Sequence, residues 1–392
     1  MTPPGQAVRR LVGAALLLTT VTALLLLAGG WYFAGQIRAD GLATTAVSTP
    51  DDLTVVSVAG AAISLREAPR QPVQPALRRP AVYGLAWPTG TGVLGAALTL
   101  DRDGSVRRSL EITTGVPPAV GSPARLRRDV FDTPAQATGA AASEVQLPCA
   151  GGLCPAWYLP GASRTWAILV HGKGATRTEP LRALGAVRAA GLPALVISYR
   201  NDPGAPADPS GSYRYGATEW RDLDEAVRWA QQRGAQRVVL FGFSMGGGIV
   251  ASFLEHSPRG SAVTALVLDA PMLSFRRTVE FGAAQRSLPV VGLPIPGALT
   301  WTARTLAGWR FGIDWAAIDY LDGRWVRVPT LLFHGTADET VPIATSDELH
   351  RSHPGLVQQT RVEGAAHLAA WNADPQRYNA RLGSFLTAQA GR

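Results

Sequence analysis

Arg237-Val238-Val239-Leu240-Phe241-Gly242-Phe243-Ser244-Met245-Gly246-Gly247-Gly248-Ile249-Val250-Ala251 is the stretch of this 392-residue chain from which the rest can be read. Its apolar, β-branched start predicts a strand, and the run after Gly246 predicts a helix. Between them lies Gly-x-Ser-x-Gly. A serine on so sharp a turn is forced into strained backbone angles, and small residues two before and two after let the chain pass close to itself. The strain lifts the hydroxyl out of the sheet. The helix N-terminus behind it favours a developing negative charge. In a glycine-rich chain the pattern alone is weak, so its context decides.

Three further segments follow the same strand-then-turn plan. Trp166-Ala167-Ile168-Leu169-Val170 runs into His171-Gly172-Lys173-Gly174. Pro329-Thr330-Leu331-Leu332-Phe333-His334-Gly335 runs into a turn carrying Asp338. Gln359-Thr360-Arg361-Val362-Glu363 runs into Gly364-Ala365-Ala366-His367. The order along the chain is Ser, Asp, His. Strands alternating with helices, as at Arg182 to Gly191 and Trp220 to Gly234, imply a mostly parallel sheet covered on both faces.

On these segments the chain from about Ser143 to Leu386 resembles the α/β-hydrolase superfamily. Phe-His-Gly-Thr-Ala-Asp and Gly-x-x-His look like the prolyl-oligopeptidase-like and small serine-esterase branches. The resemblance implies an α/β-hydrolase fold with Ser244 as nucleophile, His367 as base and Asp338 as the acid that orients it. It also implies an oxyanion hole from the N–H groups of Met245 and Lys173, with Gly172 as the alternative second donor. The chemistry needs these residue types. A serine hydroxyl is a poor nucleophile until an imidazole removes its proton, and a carboxylate on the other ring nitrogen fixes the tautomer.

Rival readings accompany each assignment. Asp338 also suits a helix cap, and Glu339 and Asp269 are competing acids. His171 and His334 precede glycine at strand ends, where packing or hydrogen bonding is the ordinary role. His256, His350 and His353 lie in polar sequence. Lys173 is the only lysine. It reads either as a charge steering anionic substrates or, preferably, as an exposed side chain whose backbone N–H is what matters. In the loop Asn201 to Tyr215, substrate contact by Tyr213, Arg214 and Tyr215 competes with plain loop packing.

The N-terminus predicts a membrane segment. Arg9 and Arg10 precede an uncharged run from Leu11 to Ala34. As a helix those 24 residues would span about 36 Å, against a hydrocarbon core of about 30 Å. Trp31, Tyr32 and Phe33 sit where an interfacial belt would lie, and the paired arginines place residues 1–10 in the cytoplasm and everything after Arg38 outside. The rival is a signal peptide cleaved after Gly30; the length of the run favours an uncleaved anchor, residues 11–34. The alternative location is accordingly secreted.

The cysteines agree. Cys149 and Cys154 flank Ala150 to Leu153, between segments that read as paired strands, so a disulfide across the hairpin is expected, in an oxidising compartment. Two cysteines without a nearby histidine pair do not predict a metal site, and no cofactor is implied.

Residues 35–52 read as a linker and 53–142 as a small β-rich extension, with a second linker-like stretch at 67–80. Its strands are expected at Leu53–Val58, Val82–Trp87, Val93–Leu100, Val106–Thr113 and Ala124–Phe131. Its expected role is to cover a sheet edge or to space the enzyme from the membrane. The hydrolase region is 143–392. Within it, residues 274–328 read as a helical cap broken at Leu288 to Gly297. Trp301, Trp309, Trp315 and Trp325 there either line an apolar substrate pocket or pack the cap on the core.

A net charge of +8 would suit nucleic acid or anionic lipid. The arginines are scattered, however, and no basic-aromatic patch or nucleic-acid module is present. The expected function is cleavage of a small carboxylic ester through an acyl-enzyme. Peptide hydrolysis, acyl transfer to an envelope alcohol and non-catalytic envelope binding are the alternatives.

Overall fold

A computed structural model describes residues 4–44, 51–68, 75–289 and 292–390. Parts of both linker-like stretches (45–50 and 69–74) and positions 290 and 291 of the predicted cap break lie outside the described residues. The chain opens with helix α1 (Pro4–Gln36), which continues into a wide π-type turn, Ile37–Leu42. Its apolar part is long enough to cross a membrane.

Six strands follow: β1 (Leu53–Ala59), β2 (Ala62–Glu67), β3 (Tyr83–Trp87), β4 (Gly90–Leu100), β5 (Val106–Gly115) and β6 (Pro123–Arg127). They close into a barrel in the order β1-β2-β5-β4-β3-β6. The sequence predicts five of them. It leaves out β2, a short run that alternates too weakly to stand out from its surroundings. A closed barrel has no free edge, and among the described residues none of its strands pairs with the larger sheet. Its core is Leu53, Val55, Ile63, Leu65, Leu85 and Leu94. Arg108 is buried there, donating to the carbonyls of Leu77, Ala81 and Gly95.

After a short helix α2 (Pro134–Thr138) comes the main sheet: β7 (Ser143–Cys149), β8 (Gly152–Leu159), β9 (Thr165–Val170), β10 (Ala194–Ile197), β11 (Arg237–Phe243), β12 (Val263–Asp269), β13 (Thr330–Gly335) and β14 (Val357–Val362). Their spatial order is β14-β13-β12-β11-β9-β10-β8-β7. Neighbours from β14 to β10 are parallel, and β8 runs against both β10 and β7. The predicted Cys149–Cys154 disulfide joins the turn between β7 and β8.

Side chains of β9 alternate between two cores. Trp166, Ile168 and Val170 join one, Ala167 and Leu169 the other. On the first face lie α4 (Trp220–Gln232) and α5 (Met245–His256); on the second lie α3 (Leu181–Ala189) and α10 (Pro375–Ala390). The predicted cap contributes α6 (Phe275–Ala284) and α7 (Gly297–Phe311). Helices α8 (Ile343–Ser352) and α9 (Ala370–Ala373) complete the chain.

Helix α1 does not stand apart from this body. Its last turns pack along α7, and a Cβ on Gly30 would meet Thr302 Cγ2 at 2.6 Å. The barrel meets the hydrolase region just after His367. Asn372 Nδ2 donates to the carbonyls of Val82 and Arg128, at 2.7 and 2.9 Å.

Candidate active site

Ser244 stands between β11 and α5 with φ 50° and ψ −117°, a backbone conformation that non-glycine residues rarely adopt. The turn is over-determined by its surroundings. Ser244 N–H donates to the Asp269 carbonyl, the Ser244 carbonyl accepts from Met272 N–H, and a Cβ on Gly246 would stand 2.2 Å from the Val170 carbonyl oxygen. The strain is held by the sheet on both sides, which is how a fold keeps a hydroxyl aimed outward.

His367 follows β14 and reaches back to that hydroxyl. Its Nε2 lies 2.9 Å from Ser244 Oγ and its Nδ1 lies 2.7 Å from Asp338 Oδ2. Asp338 is fixed in turn. Its Oδ1 accepts from Thr340 N–H at 2.8 Å and Val341 N–H at 2.9 Å, and its Oδ2 also stands 3.1 Å from His334 Nε2. Burial alone would raise its pKa. Hydrogen bonds from His334 and His367, with the backbone donors, outweigh burial and hold the carboxyl well below the usual carboxylate range.

The rival acids stand elsewhere. Asp269 is buried and accepts from Tyr378 Oη at 3.1 Å, and burial raises its pKa. Glu339 is exposed at the pocket rim. Of the rival histidines, His171 pairs with Asp202 at 2.8 Å and stacks on Tyr199, and His334 bonds to Ser346 Oγ at 2.7 Å.

On the other side of Ser244 lies the turn after β9. The Gly172 N–H donates to Glu179 Oε2 at 2.7 Å, which removes it as an oxyanion donor. Among the described residues no turn or loop bond takes up the N–H of Lys173 or Met245, and both residues line the pocket with Ser244. The Lys173 side chain departs from the exposed reading. It is half-buried, and its Nζ donates to the Asp40 carbonyl at 2.6 Å, in the turn that ends the N-terminal helix. Burial lowers its pKa.

Two residues here have no counterpart in the sequence reading. Glu179, its side chain 1% exposed, accepts Gly172 N–H on one oxygen and Arg128 on the other, at 2.8 Å. Arg128 also donates to the His367 carbonyl at 3.3 Å. The segment leaving the barrel thus ties the oxyanion-side turn to the histidine loop. A sequence signal existed only for Glu179, an acid shortly after His-Gly-Lys-Gly; nothing local marks Arg128.

The cavity over Ser244 is about 430 Å³. Its walls include Met272, Phe275 and Val279 on the cap side and Val341 and Leu368 beside the triad-like cluster. They also include Phe33, Gln36, Ile37 and Gly41, from the end of the N-terminal helix. Tyr215 lines the same pocket, stacks on Phe275 and donates to the Gly41 carbonyl at 2.7 Å. Tyr213 is buried in loop packing, and Arg214 donates to the Phe311 carbonyl. The cap tryptophans divide. Trp325 is buried and Trp315 stacks on Phe275, whereas Trp301 and Trp309 are 61% and 76% exposed and line nothing.

A serine hydroxyl bonded to an imidazole bonded to a carboxylate can attack an acyl carbon. Among the described residues no group of three or more His, Cys, Asp or Glu is placed to hold a metal ion.

Parts of the chain are similar to known proteins. A family model described as "Serine aminopeptidase, S33" matches residues 216–312, which hold Ser244 and the cap helices. A non-heme haloperoxidase of Rhodococcus erythropolis is 29% identical, covering 39% of this chain and 69% of that protein. An esterase of Pyrococcus furiosus superposes with a TM-score of 0.52 at 19% identity, over 70% of this chain and 97% of its own. A second crystal form of that esterase gives 0.52 at 18% identity, over 71% and 98%. At these identities the structural likeness establishes the fold.

Proposed function

We propose that this chain, with the fold of its esterase neighbour, is an α/β-hydrolase superfamily member, a membrane-anchored serine esterase whose catalytic body lies outside the cytoplasm. We read it as an anchor (11–34), a linker (35–52), a barrel-bearing extension (53–142) and a hydrolase region (143–392) with a cap at 274–328. The observation that carries the activity is the continuous chain Ser244 Oγ, His367 Nε2, His367 Nδ1, Asp338 Oδ2, opening into a largely apolar cavity.

Ser244 Oγ attacks the ester carbonyl carbon as its proton passes to His367 Nε2. The carbonyl oxygen, now negative, is held by the N–H groups of Met245, at the start of α5, and of Lys173, in the turn after β9. Asp338 keeps the imidazole in the tautomer that receives the proton and stabilises the imidazolium. Collapse breaks the bond to the alcohol oxygen, which takes the proton from His367 and leaves acyl-Ser244. Water, deprotonated by His367, then adds to the acyl carbon, releasing the carboxylic acid and restoring the hydroxyl.

The matched aminopeptidase description favours amide hydrolysis as a second reading. That activity needs an acid free to hold a substrate ammonium. Asp40 is paired with Arg286 and Glu179 with Arg128, so of the acids lining the pocket only Glu339 is left, and it is exposed to water at the rim, where a carboxylate holds an ammonium weakly. Ester cleavage is the better fit.

The deciding experiment is fluorophosphonate labelling of the purified full-length chain in detergent, beside Ser244→Ala and His367→Ala. Labelling of the wild type alone, with release of acid from p-nitrophenyl butyrate, supports the esterase. Labelling with turnover of aminoacyl anilides but not esters moves the assignment to the peptidase. A folded wild type that neither labels nor turns over either substrate refutes both.

A further inference from the structure

The end of the N-terminal helix is part of the active-site pocket. Phe33, Gln36 and Ile37 line the cavity that holds Ser244. Phe33 and Ala34 also end the apolar run that begins at Leu11. If that run spans a bilayer, its end lies at the membrane boundary, so the pocket wall lies there too.

The cap helix is at the same level. Along α7, Leu299, Ala303 and Ala307 are buried, at a spacing of four that makes one stripe. Thr302 and Leu306, one position round the helix, meet Gly30 of α1. The stripe at positions 301, 305 and 309 is exposed, and it carries Trp301 and Trp309. On α1, which packs against this helix, Trp31 and Tyr32 are exposed as well. Solvent-facing tryptophans two turns apart are unusual on a soluble surface. At a membrane boundary they are ordinary, because the indole prefers that depth.

Arginines mark the polar side of the same boundary. Arg310 lies over the Trp31 ring at 3.5 Å and donates to the Trp31 carbonyl at 3.0 Å, and Arg38 lies over Phe311. Long cationic side chains at the end of an apolar span reach for the headgroup layer.

We propose that the substrate is an acyl ester held in the bilayer by its own apolar chain, taken up by a pocket whose wall is the anchor and whose cap rests on the membrane through Trp301 and Trp309. This rests on the ester-hydrolase reading above and adds the substrate class to it. The pocket chemistry agrees: Phe33, Ile37, Val279 and Ile295 offer an apolar wall to an acyl chain, while Ser244 waits at the polar end.

The test uses the full-length chain reconstituted in phosphatidylcholine vesicles, with two substrates that share one leaving group. 4-Methylumbelliferyl oleate partitions into the bilayer; 4-methylumbelliferyl butyrate does not. The wild type is expected to hydrolyse both. Trp301→Ala/Trp309→Ala is expected to lose about tenfold in oleate turnover with butyrate turnover and fluorophosphonate labelling unchanged, since neither tryptophan lines the pocket. Butyrate turnover without oleate turnover overturns the inference and leaves the esterase standing. An equal effect of the double variant on both substrates, or none on either, also overturns it. Loss of both activities and of labelling in the wild type removes the esterase reading itself.

Discussion

Arg128 donates to Glu179 across 2.8 Å, and that pair joins the strand region before the hydrolase region to the turn beside Ser244. Glu179 is buried and carries the Gly172 N–H on its other oxygen. Removing the guanidinium leaves a buried carboxylate with only a backbone donor. Arg128→Met should therefore lower kcat on a soluble ester by about tenfold, with KM within about twofold. Arg128→Lys should recover part of the loss. An unchanged kcat, or a loss confined to KM, would show that the pair has no part in holding the oxyanion turn.

Ser244→Ala should abolish both labelling and turnover. Asp338→Asn should keep the fold but lower kcat by roughly 10⁴, because the amide presents the wrong partner to His367 Nδ1. Steady-state kinetics on p-nitrophenyl butyrate checks both. Activity of Asp338→Asn close to wild type would return the acid's role to Glu339 or Asp269.

Asp338 also makes stability depend on pH. Its carboxyl is lowered in the folded chain, so the unfolded state binds its proton first as pH falls. The stabilisation is complete above the unfolded value of about 3.9 and is lost as pH drops from there toward the lower folded value. The Tm gap between wild type and Asp338→Asn should be constant from pH 7 to about pH 5 and should narrow below about pH 4. Thermal melts across that range measure it. A gap that stays constant down to pH 3 would mean that the folded carboxyl is not depressed.

The Cys149–Cys154 disulfide closes a short loop at the β7 edge of the sheet. By chain entropy it should contribute about 2 kcal/mol. Dithiothreitol, or Cys149→Ser/Cys154→Ser, should lower Tm by several degrees while leaving labelling of Ser244 intact. A melt that does not respond to reductant would mean that the hairpin holds without its bond.

The sequence pointed to Ser244, Asp338 and His367, which the fold brings together, because each follows a strand at a turn whose small residues betray a close approach. Gly246 against the Val170 carbonyl is one such approach. These are local patterns. Arg128 was invisible because its partners, Glu179 and the His367 carbonyl, are brought to it only by the folded chain. Barrel closure was hidden for the same reason: Leu53 pairs with Ala124, and nothing near either residue announces the other. The length and lack of charge of the run pointed to an apolar helix and went no further. The hint that it has a packed neighbour was Gly29-Gly30, small residues of the kind that let helices approach closely.

The contact of Lys173 with Asp40 and of Tyr215 with Gly41 has a consequence for where the activity can travel. A protein whose tether is a separate stalk can be clipped free and still work in solution. Here a cut on the N-terminal side of Asp40 removes Phe33, Gln36 and Ile37 from the cavity. If the helix is the proposed anchor, shedding and loss of that pocket wall would be one event, and the proposed reaction would stay at the surface that holds the helix.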